Sequence, residues 1–125
     1  MMTIENIMSK PIFKADTDAT LDEVVKIMVE NNIGSVLIGK DVEALGIITE
    51  RDLVVKAFYE GLDIKKTRAR EIMNSPILQM DKHLPVMESA LKMASSKVEH
   101  LLVTDEEGPV GILSARDIAY YACST

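Results

Sequence analysis

Two carboxylates stand at matching places in this chain. Asp52 and Asp117 each follow a hydroxyl side chain by three positions, Thr49 in one case and Ser114 in the other. The full stretch Gly46-Ile47-Ile48-Thr49-Glu50-Arg51-Asp52 returns 65 positions later as Gly111-Ile112-Leu113-Ser114-Ala115-Arg116-Asp117. An ionised carboxylate only accepts hydrogen bonds, so it can take both hydroxyls of a vicinal diol such as a ribose. A hydroxyl at the start of a helix, beside unpaired backbone N–H groups, suits a phosphate, and a glycine lets backbone or ligand approach closely. With apolar strand residues to hold a base, the set describes a nucleotide. The same residues also have a purely structural use. Thr49 and Ser114 as N-caps, each with an acid in the first turn, stabilise a helix by about 1 kcal/mol with no ligand. That use leaves the repeated glycine and the repeated Arg-Asp pair unexplained.

Other chemistries find little support. His83 and His100 are the only histidines, and neither has a partner at metal-ligand spacing, so no metal site is expected. No Ser or Cys has a neighbour that would make it a nucleophile, and no glycine-rich loop runs into Lys-Ser or Lys-Thr. The expectation is a binding protein and not an enzyme. Cys123 is the only cysteine, which excludes an intrachain disulfide and fits a cytoplasmic address. The opening residues lack a basic segment followed by an apolar one, and no apolar run is long enough for a membrane span. A net charge of −6 argues against nucleic acid. One basic run, Lys65, Lys66, Arg68 and Arg70, reads as a solvated linker or as a local phosphate contact.

The elements that must position Asp52 and Asp117 repeat as well. Ile7-Met8 matches Ile72-Met73, Pro11-Ile12 matches Pro76-Ile77, and Asp16, Glu23, Met28 and Leu37 match Asp81, Glu88, Met93 and Leu102. The first copy predicts a strand at Ile12–Lys14 and a helix capped by Thr20, with Glu23 completing a capping box. That helix ends at Asn31-Asn32 and Gly34. A buried strand at Val36–Ile38, a turn at Gly39-Lys40-Asp41, a strand at Ala44–Ile48 and a helix from Thr49 follow. The second copy predicts strands at Ile77–Gln79, His100–Val103 and Val110–Leu113, a turn at Glu106-Glu107-Gly108, and helices at Leu84–Ser96 and Ala115–Ala122. Residues 1–60 form one βαββα repeat, 61–70 a linker in which Thr67 caps a short turn, and 71–125 the second repeat. The fold class is α/β (α+β), with the repeats packed about a pseudo-twofold axis. Each repeat alone would be marginal, so a shared core is expected.

On the two Gly-apolar-x-Thr/Ser-x-x-Asp stretches and the Ile-Met-x-x-Pro openings at Ile7 and Ile72, the chain resembles a tandem pair of CBS domains, the cystathionine β-synthase-type regulatory repeats. The resemblance covers about Ile7 to Ala122. It implies a stand-alone regulatory module that binds adenosine-containing ligands, AMP, ADP, ATP or S-adenosylmethionine, in clefts between the repeats and signals to a partner protein. An adenine nucleotide would be a regulatory ligand, with no obligatory cofactor. By family position Asp52 and Asp117 would bind ribose, Thr49 and Ser114 phosphate or the ribose edge, and Ile12, Ile47, Ile77 and Ile112 would flank the base. Basic residues often open the middle strand in such proteins. Here His100 fits that pattern while Gly34, Ser35 and Glu99 depart from it, so tight triphosphate binding is not expected and the two sites should be unequally occupied. A homodimer through Val54, Ala57 and Phe58 in one copy and Ile118, Tyr121 and Ala122 in the other is expected. The alternative is a dimerisation or interaction scaffold that binds no physiological ligand.

Overall fold

A computed structural model of the chain describes residues 1–124. Its elements repeat once. The first set comprises β1 (Lys14–Asp16), α1 (Leu21–Asn31), β2 (Ser35–Lys40), β3 (Glu43–Thr49) and α2 (Glu50–Asp52), which runs on as a π-helical stretch over Leu53–Phe58. A short helix α3 (Ala69–Ile72) leads to the second set: β4 (Gln79–Asp81), α4 (Val86–Ser96), β5 (His100–Asp105), β6 (Gly108–Ser114) and α5 (Ala115–Ser124). In each set the first strand pairs parallel to the second and the second antiparallel to the third, giving two three-stranded sheets.

The local reasons are plain. Thr20 caps α1 by accepting from the Glu23 amide at 3.3 Å, and Asn32 ends the helix in the left-handed region at φ 52°. Leu21, Val24 and Met28 lie one turn apart and are buried, so α1 offers the sheet an apolar stripe. Strand alternation puts Val36, Ile38 and Ile48 on the face that meets this stripe, with Ala57 from the π-helical stretch. Leu101, Val103 and Leu113 play the same part beside Met93.

The compact units do not follow the repeats. One unit is Phe13–Ile77; the other joins Met1–Ile12 to the chain from Leu78 onward. Each has its own cluster of buried residues, and each cluster borrows from the other repeat. Ile4 is fully buried with Met93, Leu101, Val103 and Leu113, and its amide bonds the Leu84 carbonyl at 2.9 Å. Ala69 and Ile72 are buried in the core of the first sheet.

Gly46 and Gly111 show why this exchange is possible. A Cβ on Gly46 would lie 2.6 Å from Met73 Sδ and 2.9 Å from the Asn74 carbonyl oxygen; on Gly111 it would lie 2.6 Å from Met8 Sδ and 3.1 Å from the Ser9 carbonyl oxygen. The opening segment of each repeat therefore lies directly on the other repeat's glycine. Ile47 and Asn74 exchange backbone hydrogen bonds at 3.0 and 2.9 Å, and Ser9 and Ile112 do so at 2.8 and 3.0 Å.

Several expected boundaries move. The strands at Ile12–Lys14 and Ile77–Gln79 begin two residues later, where Lys14 and Gln79 come into parallel register with Leu37 and Leu102. The helix expected from Leu84 begins at Val86, because Pro85 takes the N-cap with φ −64° and Leu84 gives its carbonyl to Ile4. The turn expected at Gly39-Lys40-Asp41 falls at Asp41-Val42, since a bulge at Ile38/Gly39 carries β2 through Lys40. Thr67 does not cap α3. Arg68 holds the N-cap place, its amide bonded to the Glu71 carboxylate at 2.6 Å, while the Thr67 carbonyl accepts from Leu21 at 3.0 Å. The basic run is only partly a solvated linker: Arg68 donates to the Asp18 carbonyl oxygen at 2.9 Å and Arg70 pairs with the Asp18 carboxylate. These contacts fix its arginines beside the loop after β1.

Candidate functional site

In the Phe13–Ile77 unit, Thr49 closes β3 and caps α2. Its hydroxyl accepts from the Asp52 amide at 3.3 Å, and Asp52 answers. Asp52 Oδ2 accepts from the Thr49 amide at 2.8 Å, from the Thr49 hydroxyl at 2.9 Å and from Asn74 Nδ2 at 2.7 Å. Asp52 Oδ1 lies 3.5 Å from Lys56 Nζ, one turn along the helix. The ammonium also donates to Asn74 Oδ1 at 2.8 Å and to the Ile72 carbonyl at 3.0 Å. Asp52 is 8% exposed, the only charged side chain in the buried class among the described residues. A carboxylate this deep needs such partners, since an unpaired buried charge is costly.

The second unit repeats the cap with fewer partners. Ser114 closes β6, its amide donates to Asp117 Oδ2 at 2.9 Å, and its hydroxyl accepts from the Asp117 amide at 3.1 Å. Ser9 stands where Asn74 stands, and its hydroxyl lies 3.3 Å from both Asp117 oxygens. Tyr121 occupies the position of Lys56, so no cation follows Asp117 at one helical turn. Asp117 is half-buried.

The sheets set the other predicted residues around these carboxylates. Ser35 pairs with Thr49 and Leu37 with Ile47, so all four side chains lie on the sheet face away from Val36, Ile38 and Ile48. His100 pairs with Ser114 and Leu102 with Ile112, on the corresponding face of the second sheet. Ile77 falls in the same unit as Ile47, and Ile12 in the same unit as Ile112. Each unit thus holds one complete set: Ile47, Thr49, Asp52, Ser35 and Ile77 in one, Ile112, Ser114, Asp117, His100 and Ile12 in the other. The sets are not equally open. Asp52, Ile47 and Ile77 are 8%, 7% and 8% exposed, whereas Asp117, Ile112 and Ile12 are all half-buried.

Sequence reasoning missed Lys56, Asn74 and Ser9. Asn74 and Ser9 each follow a repeated Ile-Met pair, so their places were marked, but nothing local says that the segment crosses to the other repeat's helix start. A groove of about 430 Å³ lies elsewhere, between Val25, Met28 and Val29 of α1 and Glu50 and Leu53 at the start of α2, and includes none of the predicted site residues. Among the described residues no His, Cys, Asp and Glu side chains group to hold a metal, and no helix is long and apolar enough to cross a membrane.

Comparison with known proteins agrees with this architecture. The CBS domain family profile matches residues 4–58 and 69–123. An uncharacterized protein of Methanopyrus kandleri is 32% identical over 94% of this chain, which spans 61% of that relative's length. The structure of a protein with CBS domains from Burkholderia ambifaria superposes with a TM-score of 0.91 at 26% identity, covering 98% of this chain and 95% of the other. The CBS domain pair of protein MJ0100, crystallised with 5′-methylthioadenosine and S-adenosyl-L-methionine, superposes at 0.88 with 27% identity, covering 98% and 97%. With the profile matching twice and both sheets, helix caps and exchanged openings in place, the chain belongs to the CBS domain family, as a pair of such domains.

Proposed function

We propose that this chain is a regulatory module that binds an adenosine-containing ligand and passes its occupancy to a partner protein. The observation that carries the reading is the carboxylate at the first helical turn, on the cap of a strand whose face opposite the α1 stripe offers an isoleucine and a hydroxyl. That arrangement meets a ribose diol with a pure acceptor and a base with an apolar wall. The adenosine ligands of the MJ0100 domain pair support the ligand class. Among the described residues no group of side chains at Asp52 or Asp117 is set to hold a metal.

Calorimetry of the purified chain against AMP, ADP, ATP and S-adenosylmethionine tests it. Saturable heat with at least one of them, reduced about tenfold or more in affinity by Asp117→Asn, is expected, because hydrogen bonds to a charged partner carry roughly 1.5–3 kcal/mol. No heat with any of the four overturns the reading. A second reading, an interaction scaffold without a ligand, is favoured by the apolar side chains standing in solvent: Phe58 is 86% exposed, Val54 61% and Leu91 64%. Blank calorimetry together with self-association would decide for the scaffold.

A further inference from the structure

We propose that Lys56 and Asn74 hold Asp52 as a structural lock, so that the chain takes one adenosine-containing ligand, at Asp117, and not two. The inference rests on the ligand reading above and says which of its two carboxylates is available.

A carboxylate has about four acceptor positions. On Asp52, three donors crowd Oδ2 and the Lys56 ammonium faces Oδ1. Lys56 and Asn74 are also bonded to each other, so the three side chains close a triangle between α2 and the segment that follows α3. Lys56 uses its remaining donor on the Ile72 carbonyl. A ribose diol at Asp52 would compete with Lys56 for Oδ1 and with the three donors already on Oδ2, so the carboxylate gives up existing partners to take both hydroxyls. The triangle ties Asn74 to the very helix whose glycine-flanked strand receives the opening segment, which gives it a task in folding that needs no ligand.

Asp117 has no such ring. Apart from its own cap, it receives one hydroxyl, Ser9, at 3.3 Å to each oxygen, longer than a good O–H···O bond. A serine hydroxyl rotates away at little cost, and Tyr121 brings no charge to the place Lys56 fills.

The test combines ligand-free unfolding with titration of the full chain. In thermal unfolding, Asp52→Asn should lower the Tm by about 5–10 °C and Asp117→Asn by no more than about 3 °C. Lys56→Met keeps the stem and removes the charge; with Asp52→Asn it should be less than additive by several degrees, because both break one ring. Calorimetry with AMP should give one ligand per chain, lost in Asp117→Asn and within about twofold of the parent in Asp52→Asn. Should Asp52→Asn fail to fold, Lys56→Met alone decides: a lowered Tm with AMP affinity unchanged supports the lock. Equal Tm losses for the two Asp→Asn variants, an unchanged Tm in Lys56→Met, or two AMP per chain overturns it. A chain that binds none of AMP, ADP, ATP and S-adenosylmethionine overturns the ligand reading and the single-ligand clause with it, while the unfolding series still judges the lock by itself.

Discussion

At Gly46 and Gly111 one methyl group separates two accounts of the repeated motif. Were the glycines there for a ligand, alanine would weaken binding and leave the fold alone. Their surroundings say otherwise, since the added Cβ would strike Met73 and the Asn74 carbonyl, or Met8 and the Ser9 carbonyl. A methionine can swing aside, but a carbonyl held in a two-way backbone bridge cannot. Gly46→Ala and Gly111→Ala should each cost about 1–3 kcal/mol by overpacking. Urea unfolding measures this directly, and a change below a few tenths of a kcal/mol would return the glycines to the ligand. At this scale much of the site was legible. The Thr49/Asp52 and Ser114/Asp117 caps follow from spacing alone, because a capping box is a local geometry. Asn74 and Ser9 were not, because they arrive from 22 and 108 residues away, distances over which periodicity carries no information, and the i,i+4 spacing of Lys56 from Asp52 did not by itself mark its bonds to Asn74 and Ile72.

Among the elements, the two long helices α1 and α4 end alike but not equally well. Both close with a left-handed residue and a bond back across the turn, Ile33 to the Met28 carbonyl at 3.0 Å and Val98 to the Met93 carbonyl at 3.1 Å. The residue in that conformation is Asn32 in α1 and Lys97 in α4, at φ 52° and 57°. Asparagine tolerates the left-handed region, whereas lysine meets the full Cβ–carbonyl clash. Lys97 is exposed, so its side chain has no packing to lose. Lys97→Gly should therefore raise stability by about 0.5–1 kcal/mol, and Asn32→Gly by less. Chemical denaturation of the two variants checks the order; a loss in Lys97→Gly would show that its side chain is bonded after all. Helices and hairpins were readable in sequence for the same reason this cap is: their signals lie within a few residues. The first strands were misplaced by two residues because Ile12 and Ile77 look like strand cores, while the inward residue that packs under α1 is Ala15. The linker was read only in part, since its basic side chains are exposed as expected. A polar, basic stretch reads as solvated, yet the Ala69 amide bonds the Ala19 carbonyl at 2.7 Å and Arg70's bonds Thr17's at 3.0 Å, so its second half is part of the first sheet's unit.

For the whole molecule, the apolar surface left over by the two cores asks for a cover. In the Phe13–Ile77 unit, Val29, Val54, Phe58 and Tyr59 are 74%, 61%, 86% and 84% exposed; in the other, Met87 and Leu91 are 67% and 64% exposed. Of the residues expected on a dimer face, Ala57 is spent in the core at 1% exposure, but Val54 and Phe58 stand out from the same helix. Fully burying a side chain of this kind is worth about 1.5–3 kcal/mol, so covering even a few of them favours association. A second copy offers the same side chains, and closed twofold pairing is the commonest solution. Light scattering at micromolar concentration should thus report about twice the 13.8 kDa chain mass. Phe58→Glu and Leu91→Glu test which unit supplies the contact. Each places a charge where the dimer would bury it, on a side chain its own core does not use, so each should shift the mass toward one chain while leaving the Tm of the monomer within a few degrees. A parent chain that runs as a monomer removes the dimer; a dimer indifferent to both substitutions places the contact on other surfaces.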